Sequence, residues 1–508
     1  VVALSACNPP TPHIDGVPGA PPSPATPWTM PNSARTPPPP AEPPIATAAT
    51  TAIRADSSTA GGVTRLSMTD VVDLALRNNP ATRESWATAR AAAEQYGSAR
   101  GALLPSINGS LALSRSSNSG NSNGLNGGFN NGGDVIDTNG TRISSNGGAT
   151  RAQLNPSLSL SYLVFDVGGR SGSIEAAKQQ AISSDLLHNT TVQNVVLQAE
   201  SALFSFLATR ALRDAQLVAV EEAQADTAAA EARLRVGVGT LEEVLQTRTA
   251  LAQAKLQLAT DEGSILAARG SLAAAMGFQA NARFDVPAIP ATDSVAMVAA
   301  SVDTLINRAI VQRPDLAGAR ADAAALAAQV RVARSAGYPS LTLSSTGSYS
   351  EALQGFTTTT NGRNFQLVLG LQIPIFNGFS RAYDVKAARD LYEAGLARVT
   401  STRQQITVQV FASYAALQTA TQRVSASVEL LASAQQSADV AVGRYREGVG
   451  TIVDVLLARS ALASARADEI QSRWEWRTAL AQLAHDIGSL DQGGHPNVPL
   501  SPSPGIRR

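Results

Sequence analysis

The chain has 508 residues, enough for two or three ordinary domains. Only 5% of its residues are aromatic and 16% charged, and its 40 Lys and Arg balance 40 Asp and Glu. A neutral chain without a basic excess cannot neutralise many phosphates, which argues against a nucleic-acid partner. Abundant Ala with few aromatic residues favours long helices packed closely side by side.

The sequence begins VVALSAC, and its one cysteine is Cys7. Residues 4–7 resemble the lipobox of bacterial lipoproteins. We therefore interpret residues 1–6 as the end of a signal peptide and Cys7 as the lipid-attachment residue, which would anchor the protein to a membrane. A chance cysteine in an ordinary apolar terminus is the alternative. Residues 7–65, rich in Pro, Ala and Thr, predict an extended linker.

Most of the remaining chain is a tandem repeat. RLRVGVGTLEEVLQTRTALAQA at 233–254 returns as RYREGVGTIVDVLLARSALASA at 444–465, with 13 of 22 positions identical. Pro80 aligns with Pro314, 234 residues later, whereas Gly237 aligns with Gly448, 211 residues later. One Asn- and Gly-rich insertion of 23 residues in the first copy accounts for the difference. We divide the chain into a first repeat (66–280), a connector (281–301), a second repeat (302–488) and a flexible tail (489–508).

Each repeat opens with a helix-period segment, 68–102 and 302–336, and β-hairpins are predicted at 105–165 and 339–376. Apolar residues alternate with small or polar ones in both hairpins: Ile107, Leu111, Leu113, Leu158, Leu160, Tyr162, Val164, Phe365, Leu367, Leu369, Leu371, Ile373 and Ile375. This alternation is typical of a soluble β-sandwich whose sheets have one solvent-exposed face. It is equally typical of a transmembrane β-barrel, in which one face of each strand contacts lipid and the other lines a water-filled lumen. The sequence has no run of 18 consecutive apolar residues, so we predict no transmembrane helix.

A long helical segment follows each hairpin, at about 170–234 and 381–445, and a shorter one returns at about 241–275 and 452–487. Rods of about 90 Å, at 1.5 Å per residue, need partners along their length. GVGT turns at 236–240 and 447–451 connect them. Their glycines supply positive φ at the helix ends. Thr240 and Thr451 are predicted N-caps, with Glu243 and Asp454 in the capping-box position.

This order of elements, repeated over residues 66–488, resembles the TolC-like outer-membrane efflux family. The resemblance implies a mainly α protein with a small β part, a trimeric channel-tunnel. Four strands per chain would form a 12-stranded β-barrel on a long α-helical coiled-coil barrel. It also implies an exit duct in the outer membrane of a Gram-negative bacterium, extending into the periplasm. Its partners would be its own copies, membrane lipid, a periplasmic adaptor and an inner-membrane pump of RND or ABC type.

The resemblance also assigns roles near the turns. The adaptor would dock on Gly237, Val238, Gly239, Thr240, Gly448, Val449, Gly450 and Thr451, although these residues could serve turn geometry alone. Asp454 would form a ring of three carboxylates that favours cations. Leu457 stands where better-studied members carry a second Asp and could form a hydrophobic constriction. A Tyr445–Glu243 hydrogen bond would close the pore, whereas Gly450 replaces an Arg latch of some members.

Two alternatives share parts of this reading: a type I protein-secretion duct of the same fold, and a non-conducting, lipid-anchored periplasmic scaffold. The alternating strands argue against the scaffold. We expect no enzymatic activity, cofactor or metal. The histidines (His13, His188, His485 and His495) lack metal-ligand spacing, and neither a nucleophile elbow nor a phosphate-binding loop is present.

Overall fold

Eight helices form most of the chain that the computed structural model describes. The described residues are 13–14, 17–18, 21–29, 64–118, 135–136, 142–143, 149–287, 296–298, 300–354, 362–490 and 500–502. Cys7 lies outside these ranges. The helices are α1 (Met68–Asn78), α2 (Pro80–Gly101), α3 (Gly169–Arg235), α4 (Leu241–Ala275), α5 (Val302–Gln312), α6 (Pro314–Ser335), α7 (Ser380–Arg446) and α8 (Ile452–Ile487). The four helices around the turns lie where the sequence predicts them, and α3 and α7 are about 100 Å long at 1.5 Å per residue.

Twelve strands accompany the helices within those ranges, and only four of them are long. The strands are β1 (His13–Ile14), β2 (Val17–Pro18), β3 (Thr64–Arg65), β4 (Ser106–Asn118), β5 (Val135–Ile136), β6 (Arg142–Ile143), β7 (Ala149–Phe165), β8 (Phe284–Asp285), β9 (Ala296–Val298), β10 (Ser340–Gln354), β11 (Gly362–Gln372) and β12 (Leu500–Pro502). Most residues predicted to form hairpins therefore lie in β4, β7, β10 and β11.

The first helical segment of each repeat is two helices, which corrects the prediction of one. Pro80 and Pro314 begin α2 and α6. The residues before them, Asn79 (ψ 128°) and Arg313 (ψ 125°), have extended backbones. A proline ring disfavours the helical conformation in the preceding residue but fits the first position of a new helix. The apolar period continues across the break, so periodicity alone does not reveal it.

The chain divides into two compact units, and the smaller contains the long strands. It comprises the described parts of 98–176 and 327–390. Its antiparallel sheet has the order β11-β10-β7-β4. The predicted alternation ends earlier than expected, because β11 stops at Gln372, before Pro374. The β7–β10 pairing also skips Val164, so a bulge interrupts the alternation there.

The larger unit, formed by the described parts of 1–97, 177–326 and 391–508, contains the main hydrophobic core. Matching positions of the two repeats supply it: Val195 and Ile406, Leu272 and Leu483, and Met276 and Ile487 are all buried. Two copies of one amphipathic pattern therefore pack their apolar faces into a shared core.

Part of the predicted linker packs on this helical unit. In the segment 21–29, Trp28 is 5% exposed. Its amide donates to Asn189 Oδ1 at 2.6 Å, and its carbonyl accepts from Asn189 Nδ2 at 2.7 Å. Trp86 Nε1 donates to the Pro21 carbonyl at 2.9 Å. This stretch of the linker thus has fixed partners on α2 and α3.

The connector and the tail also contain paired strands. Strand β8 pairs in parallel with β3, and β9 pairs antiparallel with β12. The sequence predicts a flexible tail, but residues 500–502 of the tail belong to this two-stranded sheet. Pairing with the connector satisfies backbone groups that a free tail would leave to water.

Helix α3 meets the length and apolarity of a membrane span in one 18-residue window of mean hydropathy 1.3. The sequence predicts no transmembrane helix, because it has no run of 18 consecutive apolar residues and this window also contains polar ones. In the structure 44% of that window is buried within the protein. Such burial is the ordinary property of a helix that contributes to a core.

Two carboxyl groups on α3 are buried without hydrogen-bond partners. Asp185 is 0% exposed and Glu200 1%, and neither oxygen of either group has a hydrogen-bond partner among the described residues. Burial raises the pKa of Asp185 to about 8 and that of Glu200 to about 7. Both groups therefore hold a proton under mildly acidic conditions, because an unpaired charge would be costly there.

Raising the pH from 5 to 8 should destabilise the protein. Unfolded Glu200 releases its proton near pH 4.5, whereas the folded group retains it up to about pH 7, so stability is lost across that window. Glu200→Gln should remove roughly 2–3 kcal/mol of this loss. The measurement is the apparent melting temperature at both pH values, with exposed Glu221→Gln as the control. Equal losses in wild type and Glu200→Gln would contradict the assignment.

Candidate functional site

The two helical turns have almost the same backbone. Gly237 has φ 80° and Gly448 has φ 76°, values that glycine adopts without strain. The amides of Val238 and Val449 each donate at 3.0 Å to a carbonyl in the preceding helix, that of Arg233 or Arg444. These bonds satisfy carbonyls that a helix end would otherwise leave free.

The second glycine of each turn is required for a reason that the sequence analysis missed. Gly239 and Gly450 do not have positive φ. A Cβ atom at Gly450 would lie 3.0 Å from Arg444 Cβ and 3.2 Å from the amide nitrogen of Tyr445. At Gly239 it would lie 3.0 Å from Arg233 Cβ. Close approach of the chain to the last helical turn therefore selects glycine here.

Each turn exposes the valine of its GVGT motif to solvent, and the first turn also exposes Val236. Val238 is 65% exposed and Val449 68%. An exposed apolar side chain at the same place in both turns of a chain is a contact point that a repeated partner surface could use.

The helices after the turns are capped differently. At the second turn, Thr451 and Asp454 form a complete capping box: Thr451 N donates to Asp454 Oδ2 at 3.0 Å, and Asp454 N donates to Thr451 Oγ1 at 3.2 Å. Hydrogen bonds from the Thr451 backbone and side chain lower the pKa of Asp454. At the first turn, Thr240 Oγ1 accepts from Glu243 N at 3.2 Å, but the Glu243 carboxylate does not complete the box.

That carboxylate contacts the other repeat instead. Tyr445 Oη donates to Glu243 Oε2 at 3.2 Å, and the Tyr445 side chain is buried, 6% exposed. The Arg233 guanidinium lies 4.8 Å from the centre of the Tyr445 ring. Burial, and then the Glu243 charge, raise the pKa of the Tyr445 phenol. The structure thus contains the bond expected from the resemblance, while its part in closing a pore stays a prediction.

Repeat symmetry does not provide a second such bond. The residues that align with Tyr445 and Glu243 are Leu234 and Asp454. Leu234 has no hydroxyl to donate, and the Asp454 carboxylate is held in its own capping box. The Tyr445–Glu243 hydrogen bond between the two hairpins therefore has no counterpart at the equivalent positions of the repeat.

The remaining predicted gate residue, Leu457, lies one helical turn after Asp454 and is 66% exposed. It lines a cavity of about 1290 Å³ between α3, α4 and α8, together with Leu241, Leu245 and Leu456. Sequence reasoning missed the charged residues of this region on α3 and α8. Glu222 and Asp226 are four residues apart, and Arg459 and Arg466 are seven apart. Both spacings place the two residues of a pair on one face of their helix.

Gly→Ala substitutions in the second turn and inside α4 should have opposite effects on stability. Gly450→Ala should cost about 1–2 kcal/mol, because the added methyl group crowds Arg444. Gly263→Ala, inside α4 with no atom within 4 Å of the added carbon, should gain up to about 1 kcal/mol from helix propensity. Apparent melting temperatures measure both. A Gly450→Ala protein as stable as Gly263→Ala would show that close approach does not select this glycine.

Comparison with known proteins gives consistent matches over both repeats. A family model described as outer membrane efflux protein matches residues 71–278 and 305–489. Protein CyaE of Bordetella pertussis is 27% identical over 441 residues, 85% of this chain and 86% of that protein. Outer membrane protein TolC of Vibrio cholerae is 24% identical over 328 residues, 63% of this chain and 73% of that protein. The crystal structure of the outer membrane protein VceC from Vibrio cholerae matches with a TM-score of 0.68 at 19% identity, over 83% of this chain and 96% of that chain.

Proposed function

We propose, since this chain belongs to the outer membrane efflux protein family, that three copies assemble into a duct through which an inner-membrane pump exports its substrates. The family match confirms the resemblance predicted from the repeat. The match to VceC confirms a mainly helical fold with a small sheet. The observation that carries the proposal is the sheet of β4, β7, β10 and β11.

One face of this sheet is apolar and exposed. On β11, Phe365, Leu367, Leu369 and Leu371 are 61–74% exposed. The strand register places them beside apolar or small residues of β10, for example Leu369 opposite Leu343. The other face is polar: Ser110 Oγ and Ser157 Oγ lie 2.7 Å apart across β4 and β7. An apolar outer face and a polar inner face fit a wall between lipid and water.

Closure of the sheet requires other copies of the chain. Strands β4 and β11 are the two edges of the sheet, each paired on one side. Backbone groups at an open edge cannot be satisfied within lipid, so a membrane-spanning sheet must close. Three sheets of four strands would give a closed barrel of 12 strands, and the apolar face would then meet lipid.

The same trimer would place six similar turns at one end, two from each chain. Their matching backbones and exposed valines support a quasi-sixfold docking end for a ring of periplasmic adaptor subunits. The adaptor would contact the GVGT turns at Val238 and Val449, and the pump would act through it. Cys7 would carry the lipid that anchors the chain to the outer membrane.

The turn region would also contain the gate. Three Asp454 carboxylates would form a ring, and Leu457 would add an apolar constriction one turn further along. The Tyr445–Glu243 hydrogen bond supports a closed arrangement in which the second hairpin is held to the first. Hydrogen bonds from the Thr451 backbone and side chain lower the pKa of Asp454, which favours the charged carboxylate that such a ring requires.

Conductance in planar lipid bilayers tests this function. The purified trimer should form cation-preferring channels, and Asp454→Asn should reduce the preference about two- to fivefold, because it removes the charge and keeps an oxygen for the Thr451 cap. Glu447→Gln removes a charge in the adjacent turn and is the control. Absence of channels in wild type would contradict the duct, whereas unchanged selectivity in Asp454→Asn would remove that residue from the gate.

A further inference from the structure

Four charged side chains form ion pairs between α3 of the first repeat and α8 of the second. Arg459 of α8 places Nη1 3.1 Å from Glu222 Oε2 and Nε 3.4 Å from Asp226 Oδ2, both on α3. Arg466, two turns further along α8, places Nη2 3.1 Å from Glu222 Oε1. Glu222 thus bridges two arginines with its two oxygens. We call Glu222, Asp226, Arg459 and Arg466 the bridging cluster.

The bridging cluster is largely withdrawn from water. Its side chains are 14–23% exposed. By contrast, the Arg248–Glu231 ion pair between α3 and α4 has side-chain exposures of 61% and 39%. Burial raises the pKa of Asp226 and the Arg459 charge opposes that rise, so the carboxylate depends on its partner to stay ionised. Partly buried pairs that share a carboxylate resist screening better than isolated surface pairs do.

The repeats differ in this cluster in an informative way. The basic positions occur in both copies, because Arg459 aligns with Arg248 and Arg466 with Lys255. The acidic positions do not, since Glu222 aligns with Ser433 and Asp226 with Ser437. Arg248 instead pairs within its own hairpin, at 2.7 Å from Glu231. The acids that reach across to the other repeat are thus a property of the first copy alone.

We propose that the bridging cluster is a lock that holds the α7–α8 hairpin against α3 and keeps the duct closed, a role that rests on the proposed function. The lock lies about 12–22 Å along α8 from the turn, at 1.5 Å per residue. Its four residues differ from those of the Tyr445–Glu243 bond, and both contacts act on the same hairpin. In the trimer, the quasi-equivalent contact between neighbouring chains would set Arg248 and Lys255 against serines. The two hairpins of one chain would therefore stay together while neighbouring chains part more readily.

Single-channel recording of the purified trimer tests the lock. Glu222→Gln keeps the shape of the side chain and removes the charge that both arginines share. It should raise the ratio of open to closed time about fivefold, the effect of weakening one or two partly exposed ion pairs. Glu231→Gln removes an acid of the same helix that pairs within its own hairpin, and it should leave the ratio unchanged.

A double-mutant cycle separates a lock from a general loss of packing. Glu222→Gln and Arg459→Gln should each favour opening. The effect of the double variant should be smaller than the sum of the two single effects, because both substitutions remove the Glu222–Arg459 pair, while each also removes one pair of its own. Additive effects, or equal ratios in Glu222→Gln and wild type, would overturn the lock. If Glu222→Gln does not assemble, Glu222→Asp, which keeps the charge on a shorter side chain, should give an intermediate ratio, and a wild-type ratio would overturn the lock. A wild-type trimer that never conducts would instead overturn the proposed duct, and the lock with it.

Discussion

The exposed apolar face of a four-stranded sheet with two open edges is the constraint on which the rest of this account depends. Within the part of the chain that the structure describes, nothing covers residues such as Phe365 and Leu369 or pairs with the outer edges of β4 and β11. Lipid can cover the face, but only other strands can satisfy the edges within lipid. In the proposed duct, assembly with other copies of the chain would meet this requirement.

The duplication gives each chain two similar helical hairpins, and a few residue differences between the repeats make the contacts of the two hairpins unequal. The two repeats share core positions such as Leu272 and Leu483, so their hairpins have similar shapes. Tyr445 has a hydroxyl where Leu234 has none, and Glu222 carries a charge where Ser433 does not. These differences place polar contacts between the hairpins of one chain. The six turns of a trimer would then have similar shapes, but the contacts between hairpins of one chain would be stronger than those between neighbouring chains.

Local rules explain what the sequence could predict. The ends of α3, α4, α7 and α8 follow from glycine and threonine caps a few residues away, and the strand faces follow from alternation. Contacts between distant residues were beyond that reach. The Glu243 carboxylate accepts a hydrogen bond from Tyr445 and does not form the predicted capping box. The Trp28 amide of the linker donates to Asn189 on α3. The division of the first helical segment at Pro80 was missed because the apolar period continues through it.

Imaging the detergent-extracted oligomer by electron cryomicroscopy tests the central claim most directly, because closure of the sheet, the ring of turns and the gate all require the same assembly. The account predicts a threefold particle with 12 strands closed into a barrel and with six helical turns gathered in one ring. A monomer, or a compact particle in which β4 and β11 remain unpaired, would contradict it.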